Sequence, residues 1–175
     1  MREEKEYIYI FVSDINKSIK MNDRYILLPL HGYLKEWLYN KFGNPVRFPK
    51  YSYQHAILAT FLRPLPKYAD NNLVDKDGVR IYIPNLENKQ WQTYNYLCHE
   101  GESKLMESIE YLFRVDLLEL FYTIHQTGIR QRLNDWCKSR DISFDNREAI
   151  RQKMYRMHHR YERNNIVIGT RYNKE

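Results

Sequence analysis

The 175-residue chain has only two cysteines, six prolines and six glycines, and each scarcity excludes something. Cys98 and Cys137 are too few for a disulfide framework and both stand in helix-like text. They read as reduced small hydrophobes of a cytoplasmic protein. The prolines (Pro29, Pro45, Pro49, Pro64, Pro66 and Pro84) all fall in the first half, so no proline breaks a helix or strand after Pro84. The glycines are scattered and form neither a G-x-x-x-x-G-K loop nor a G-x-G-x-x-G turn, which removes the common phosphate cradles. A G-x-S-x-G nucleophile elbow is also missing. No apolar run reaches the roughly 18 residues of a membrane span, and the opening MREEKEYIYIFVSD is charged and only briefly apolar, unlike a secretory signal.

Metal-ligand spacing is equally thin. Cys98, His99 and Glu100 are consecutive and would fan apart on a helix, and His158 and His159 are adjacent instead of one turn apart. No cofactor is expected. A distant pairing such as His99 with Glu102, or attack by Tyr155 on a phosphodiester among arginines, is chemically conceivable but has no motif behind it.

Aromatics are plentiful: sixteen tyrosines, seven phenylalanines and three tryptophans indicate a folded chain. Tyrosines interleaved with polar groups, as in YSYQ and MYRMHHRYER, suit stacking on unpaired bases, although packing the ring and exposing the hydroxyl is their commoner use.

Charge is distributed unevenly. Residues 1–128 carry 16 Lys/Arg and 16 Asp/Glu, whereas residues 129–175 carry 12 and 6, so the whole net charge of +6 lies in the last quarter. A localised basic segment is the footprint of a polyanion-binding surface, or else a solvated helical face.

Patterning gives an α+β fold: a small N-terminal mixed α/β subdomain (1–86) with a few-stranded sheet, then a mainly helical part (87–175), as two subdomains or as one continuous domain. Strands are expected at Glu6–Asp14, in RYILLPL and over Val79–Pro84. Helices are expected in GYLKEWLYNKF, with Gly43 as its C-terminal stop, and in YSYQHAILATFL before Pro64. NKQWQTYNYLCHE reads as a helix broken at Gly101. The stretch after it, to Gly128, carries Leu105, Met106, Ile109, Leu112, Phe113, Leu117, Leu120, Phe121 and Ile124 round about half its circumference, and Val115 and Leu118 extend the apolar surface further, as in a central core helix or a dimerisation helix. IRQRLNDWCKSRD is the next helix, with Leu133, Trp136 and Cys137 inward. A last helix starts from a cap at Asp145 or Asn146 and packs through Ile150, Met154, Met157 and Tyr161. IVIGTRY reads as a final short strand.

The last two helices resemble a helix-turn-helix, with Ile142 and Phe144 tucked beneath the turn. Asp141 stands where the tight turn usually has glycine, and Arg147 where an apolar residue is usual. On this reading the chain binds double-stranded DNA, as a regulator or accessory protein and not as a catalyst. Arg147, Arg151, Arg156, Arg160 and Arg163 make the contacts, supported by Lys153 and His159. Arg156 and Arg163 point outward to base edges and the others meet phosphates. The alternatives are a protein-interaction module or homodimer using the apolar helix 104–126 and, further off, an RNA-binding protein or a nuclease.

Overall fold

The computed structural model describes residues 24–66, 78–122 and 129–166. They form an α+β fold of five helices and two small antiparallel two-stranded sheets, with a helical C-terminal part. The expected strands at Glu6–Asp14 and in IVIGTRY, and the stop at Gly128, lie outside the described residues.

Strand β1 (Tyr25–Leu28) pairs antiparallel with β3 (Val79–Tyr82), Ile26 opposite Ile81 and Leu28 opposite Val79. Those four are buried, while Tyr25, Leu27, Arg80 and Tyr82 alternate onto the outer face. Val46 extends the pairing on the other edge of β3, its N–H donating to the Arg80 carbonyl (2.8 Å) and its carbonyl accepting from Tyr82 N–H (2.8 Å).

Helix α1 (Gly32–Phe42) buries Leu34, Trp37 and Leu38, and Gly43 ends it at φ 81°, a conformation glycine adopts without strain. Helix α2 (Tyr53–Phe61) is capped by the Ser52 hydroxyl, which accepts from His55 N–H at 3.1 Å. It runs into β2 (Leu62–Arg63), which pairs with β4 (Tyr96–Leu97).

That second sheet corrects the helix expected over NKQWQTYNYLCHE. Apart from β4 and the start of the next helix at His99, the segment is a series of turns, with Trp91 and Tyr94 packed against the core. Lys89 donates to the carbonyls of Ala59 and Leu62, tying the end of α2 to this segment through partners distant in sequence. Gly101 breaks nothing either: it lies inside helix α3 (His99–Tyr122). A Cβ there would run into Phe61 and come within 2.8 Å of Leu97 Cδ1, so glycine is what lets α2 and α3 approach.

Helix α3 is the spine of the core. Leu105, Ile109, Phe113, Leu117 and Leu120 are buried along it, and it touches α1, α2 and helix α4 (Ile129–Ser139). Val115 is exposed, so the apolar surface is narrower than the sequence suggests. Phe113 lies 5.3 Å from the Trp37 ring and 5.9 Å from the Trp136 ring, both edge-on, joining α1, α3 and α4 in one aromatic cluster. Helix α5 (Phe144–Arg163) closes this layer, burying Ile150, Met154 and Met157 against α1 and α4. No helix among the described residues is long and apolar enough to cross a membrane.

Candidate nucleic-acid interface

Helices α4 and α5 follow one another through Arg140–Ser143. The N–H of Ile142 donates to Cys137 O (2.9 Å) and that of Asp141 to Lys138 O (3.2 Å). These are the two bonds of a Schellman stop, with Asp141 in the position that needs a positive φ; its φ is 51°. Aspartate tolerates this region better than most residues, and its carboxylate accepts from Asn40 Nδ2 at 2.9 Å. The missing glycine is thus replaced by a held aspartate. Ile142 is buried as expected, but Phe144 is 78% exposed and is not tucked beneath the turn. The cap also differs: Ser143 precedes the helix, its N–H donates to Glu36 Oε2 (3.0 Å), and Asn146 donates to the Ser143 hydroxyl (3.0 Å). Burial pushes the Glu36 carboxyl up, but hydrogen bonds from Asn146 and Ser143 outweigh it and hold the group below its ordinary value.

A buried carboxylate fixes the turn from behind. Asp116 on α3 accepts from Trp37 Nε1 (2.6 Å), from Arg140 Nε (3.0 Å, to Oδ2) and from Arg140 Nη2 (3.0 Å, to Oδ1). Lys41 Nζ stands 3.6 Å away, and the Arg140 guanidinium lies 4.5 Å above the Trp136 ring. Burial raises the Asp116 pKa, yet the Arg140 fork, the Trp37 indole and Lys41 together hold it below the ordinary carboxylate value. The trace of this in the sequence is slight: one aspartate between Phe113 and Leu117 on an apolar face.

The seven residues singled out from the sequence separate into two groups along α5. Toward its start the cations are engaged. Arg151 pairs with Glu148 (2.7 Å), and Arg147 lies half-buried with its guanidinium 5.4 Å from the Phe144 ring. Lys153, only 18% exposed, pairs with Glu110 of α3 at 3.0 Å. Toward the end Arg156, His159, Arg160 and Arg163 are all exposed. Arg156 makes only a 3.3 Å bond to its own helix at Gln152 O, and Arg160 and Arg163 form no ion pair among the described residues. His159 stands 4.0 Å from Glu162. Positions 153, 156, 160 and 163 are spaced by three, four and three, so they share one face beside the buried stripe.

This arrangement differs from a helix-turn-helix that leads with the start of its second helix. The first two turns of α5 expose Asp145 and Glu148, which would repel phosphates, and the fully exposed arginines sit at the far end. Sequence alone did not single out Arg114, which α3 places beside that end. It stands 3.8 Å from Glu110, one turn earlier on the same helix.

Among the described residues no group of three or more His, Cys, Asp or Glu side chains is placed to hold a metal ion. Comparisons with protein-family models, curated proteins and solved structures found no match to this chain, so its own geometry is what the functional reading rests on.

Proposed function

We propose that the protein binds double-stranded DNA through the C-terminal half of α5. The observation that carries this reading is the stripe Arg156–Arg160–Arg163, exposed and without an acidic partner among the described residues, while nearer the start of the helix Arg151 and Lys153 are paired with carboxylates and Arg147 is half-buried against Phe144. Exposed guanidiniums on a rigid helix meet backbone phosphates and release condensed counterions. A purely solvated face would have the same composition, since arginines in a last turn also complement the helix dipole. The two differ in what salt does.

Anisotropy of a labelled random duplex, titrated at several salt concentrations, decides between them. Three arginine contacts give a log–log slope of about −3. Replacing Arg156, Arg160 and Arg163 with alanine removes most of that slope, whereas Arg151→Ala leaves it nearly unchanged. No binding even at low salt ends the proposal. A loss on specific DNA larger than on random DNA in Arg156→Ala alone supports base reading by that residue.

The assembly reading retains one supporting observation: Tyr111 and Val115 of α3 are 65% and 41% exposed. Sedimentation as a monomer at high concentration removes it.

A further inference from the structure

A cleft between α3 and α5 has features that duplex binding by α5 does not call on. Tyr33 of α1, Glu110 and Arg114 of α3, and Lys153, Arg156 and Arg160 of α5 line it over Met157, enclosing about 310 Å³. Four cations therefore surround one carboxylate. That carboxylate is already engaged: Lys153 Nζ is 3.0 Å from Glu110 Oε2, and Arg114 Nη2 is 3.8 Å from the same oxygen. Lys153 also lies 3.4 Å from the Tyr33 hydroxyl and 5.8 Å from its ring centroid, which steadies the ammonium at the base of the cleft. Arg156 and Arg160, one turn apart, form the opposite wall.

Concavity makes this more than a charged surface. A cleft with protein walls focuses the field of its charges, and an anion inside it meets donors from two helices at once. Guanidiniums present paired N–H groups that match phosphate oxygens, and a tyrosine hydroxyl adds a neutral donor. The volume is at the lower end of small-ligand pockets, about 300 Å³ upward, which suits one phosphoryl group with part of its ester.

We infer that this cleft is a phosphate-binding site, with Arg114, Arg156 and Arg160 on the phosphate oxygens and Tyr33 and Lys153 at the base. It shares Arg156 and Arg160 with the DNA-binding reading, but it also requires Arg114 and Tyr33, which lie on other helices. The phosphate has two possible sources, a nucleic-acid backbone or a free phosphorylated small molecule.

The test uses the full chain at low ionic strength in two arms. Inorganic phosphate is titrated while backbone amides are followed by NMR, with sodium chloride at matched ionic strength as the control. Saturable shifts around residues 110–114 and 156–160 are expected with phosphate alone. Arg114→Ala weakens that binding about tenfold, the effect of losing one charge-assisted contact, while Arg163→Ala does not. In the second arm the same two variants are titrated with the labelled duplex. If Arg114→Ala weakens duplex binding too, the phosphate is that of the backbone. If duplex binding is unmoved and only free phosphate is affected, the ligand is a small phosphorylated molecule.

The site is overturned if Arg114→Ala changes neither binding, whether or not phosphate shifts are seen in the wild type. Absence of duplex binding with Arg114-dependent phosphate binding intact would remove the DNA reading and leave the site standing.

Discussion

Arg140 and Arg160 carry the same guanidinium into opposite surroundings. Arg140 lies in the α4–α5 turn, 25% exposed, with both arms of its fork on a carboxylate that is itself 5% exposed. Arg160 stands in the last turns of α5, exposed and without an ion pair among the described residues. The sequence records both as positive charges in one basic segment, yet the first holds the helix pair in place and the second is displayed on it. Lys153 is intermediate: mostly covered, paired with Glu110 and still part of a cleft wall. The excess charge of the C-terminal quarter is therefore not one surface, and substitutions at its two poles and between them measure how far the division goes.

Arg140→Ala is expected to have the largest effect. It leaves Asp116 buried with only the Trp37 indole and the more distant Lys41, and breaking a buried pair in this way costs about 3 kcal/mol. Urea denaturation at pH 7 measures it. The dependence on pH has a definite sign. Because the folded-state pKa of Asp116 is depressed, its stabilisation is complete above the ordinary carboxylate value, about 3.9, and is lost as pH falls through the lowered one. The stability gap between wild type and Asp116→Asn should therefore narrow on acidification from about pH 5. A gap that stays constant down to pH 2 would mean that Asp116 carries no extra charge stabilisation.

How much of this was visible in the sequence depends on how local each cause is. Helices α1, α3, α4 and α5 follow from apolar periodicity, and Ile109, Leu133, Ile150 and Met154 are buried as expected, while Tyr161 is only partly covered. The misread helix before Gly101 and the misread role of that glycine share a cause in long-range packing: β2 and α2 come from residues 53–63, and no period within residues 87–98 reports them. Asp141 can replace glycine because Asn40, far off in the chain, holds its carboxylate. The site was half legible for the same reason. The pairing of Arg151 with Glu148 is a helical neighbour relation that spacing gives away, whereas Glu110 for Lys153 and Asp116 for Arg140 come from another helix.

The second substitution tests the intermediate case. Lys153→Met keeps the aliphatic stem against Tyr33 and removes the charge facing Glu110, a partly exposed partner. The expected loss is about 1 kcal/mol, read in the same denaturation experiment, with a weaker duplex interaction if the cleft takes a backbone phosphate. A loss as large as that of Arg140→Ala would place Lys153 with the structural cations instead.

The smallest effect on stability, and the one that defines the other pole, belongs to Arg160→Ala and Arg163→Ala. Neither side chain packs in the core or forms an ion pair among the described residues, so each change should stay within about 0.5 kcal/mol, the range of ordinary surface substitutions. Some of that is the lost interaction with the negative end of the α5 dipole, a few tenths of a kcal/mol that fades as salt is added. Duplex affinity should fall with each substitution over the same salt range in which stability hardly moves. If instead both variants unfold readily, the arginines belong to the fold as Arg140 does, and the contrast between the two ends of the segment disappears. If stability and binding are both unchanged, the stripe is a solvated face, and these two arginines serve neither packing nor DNA.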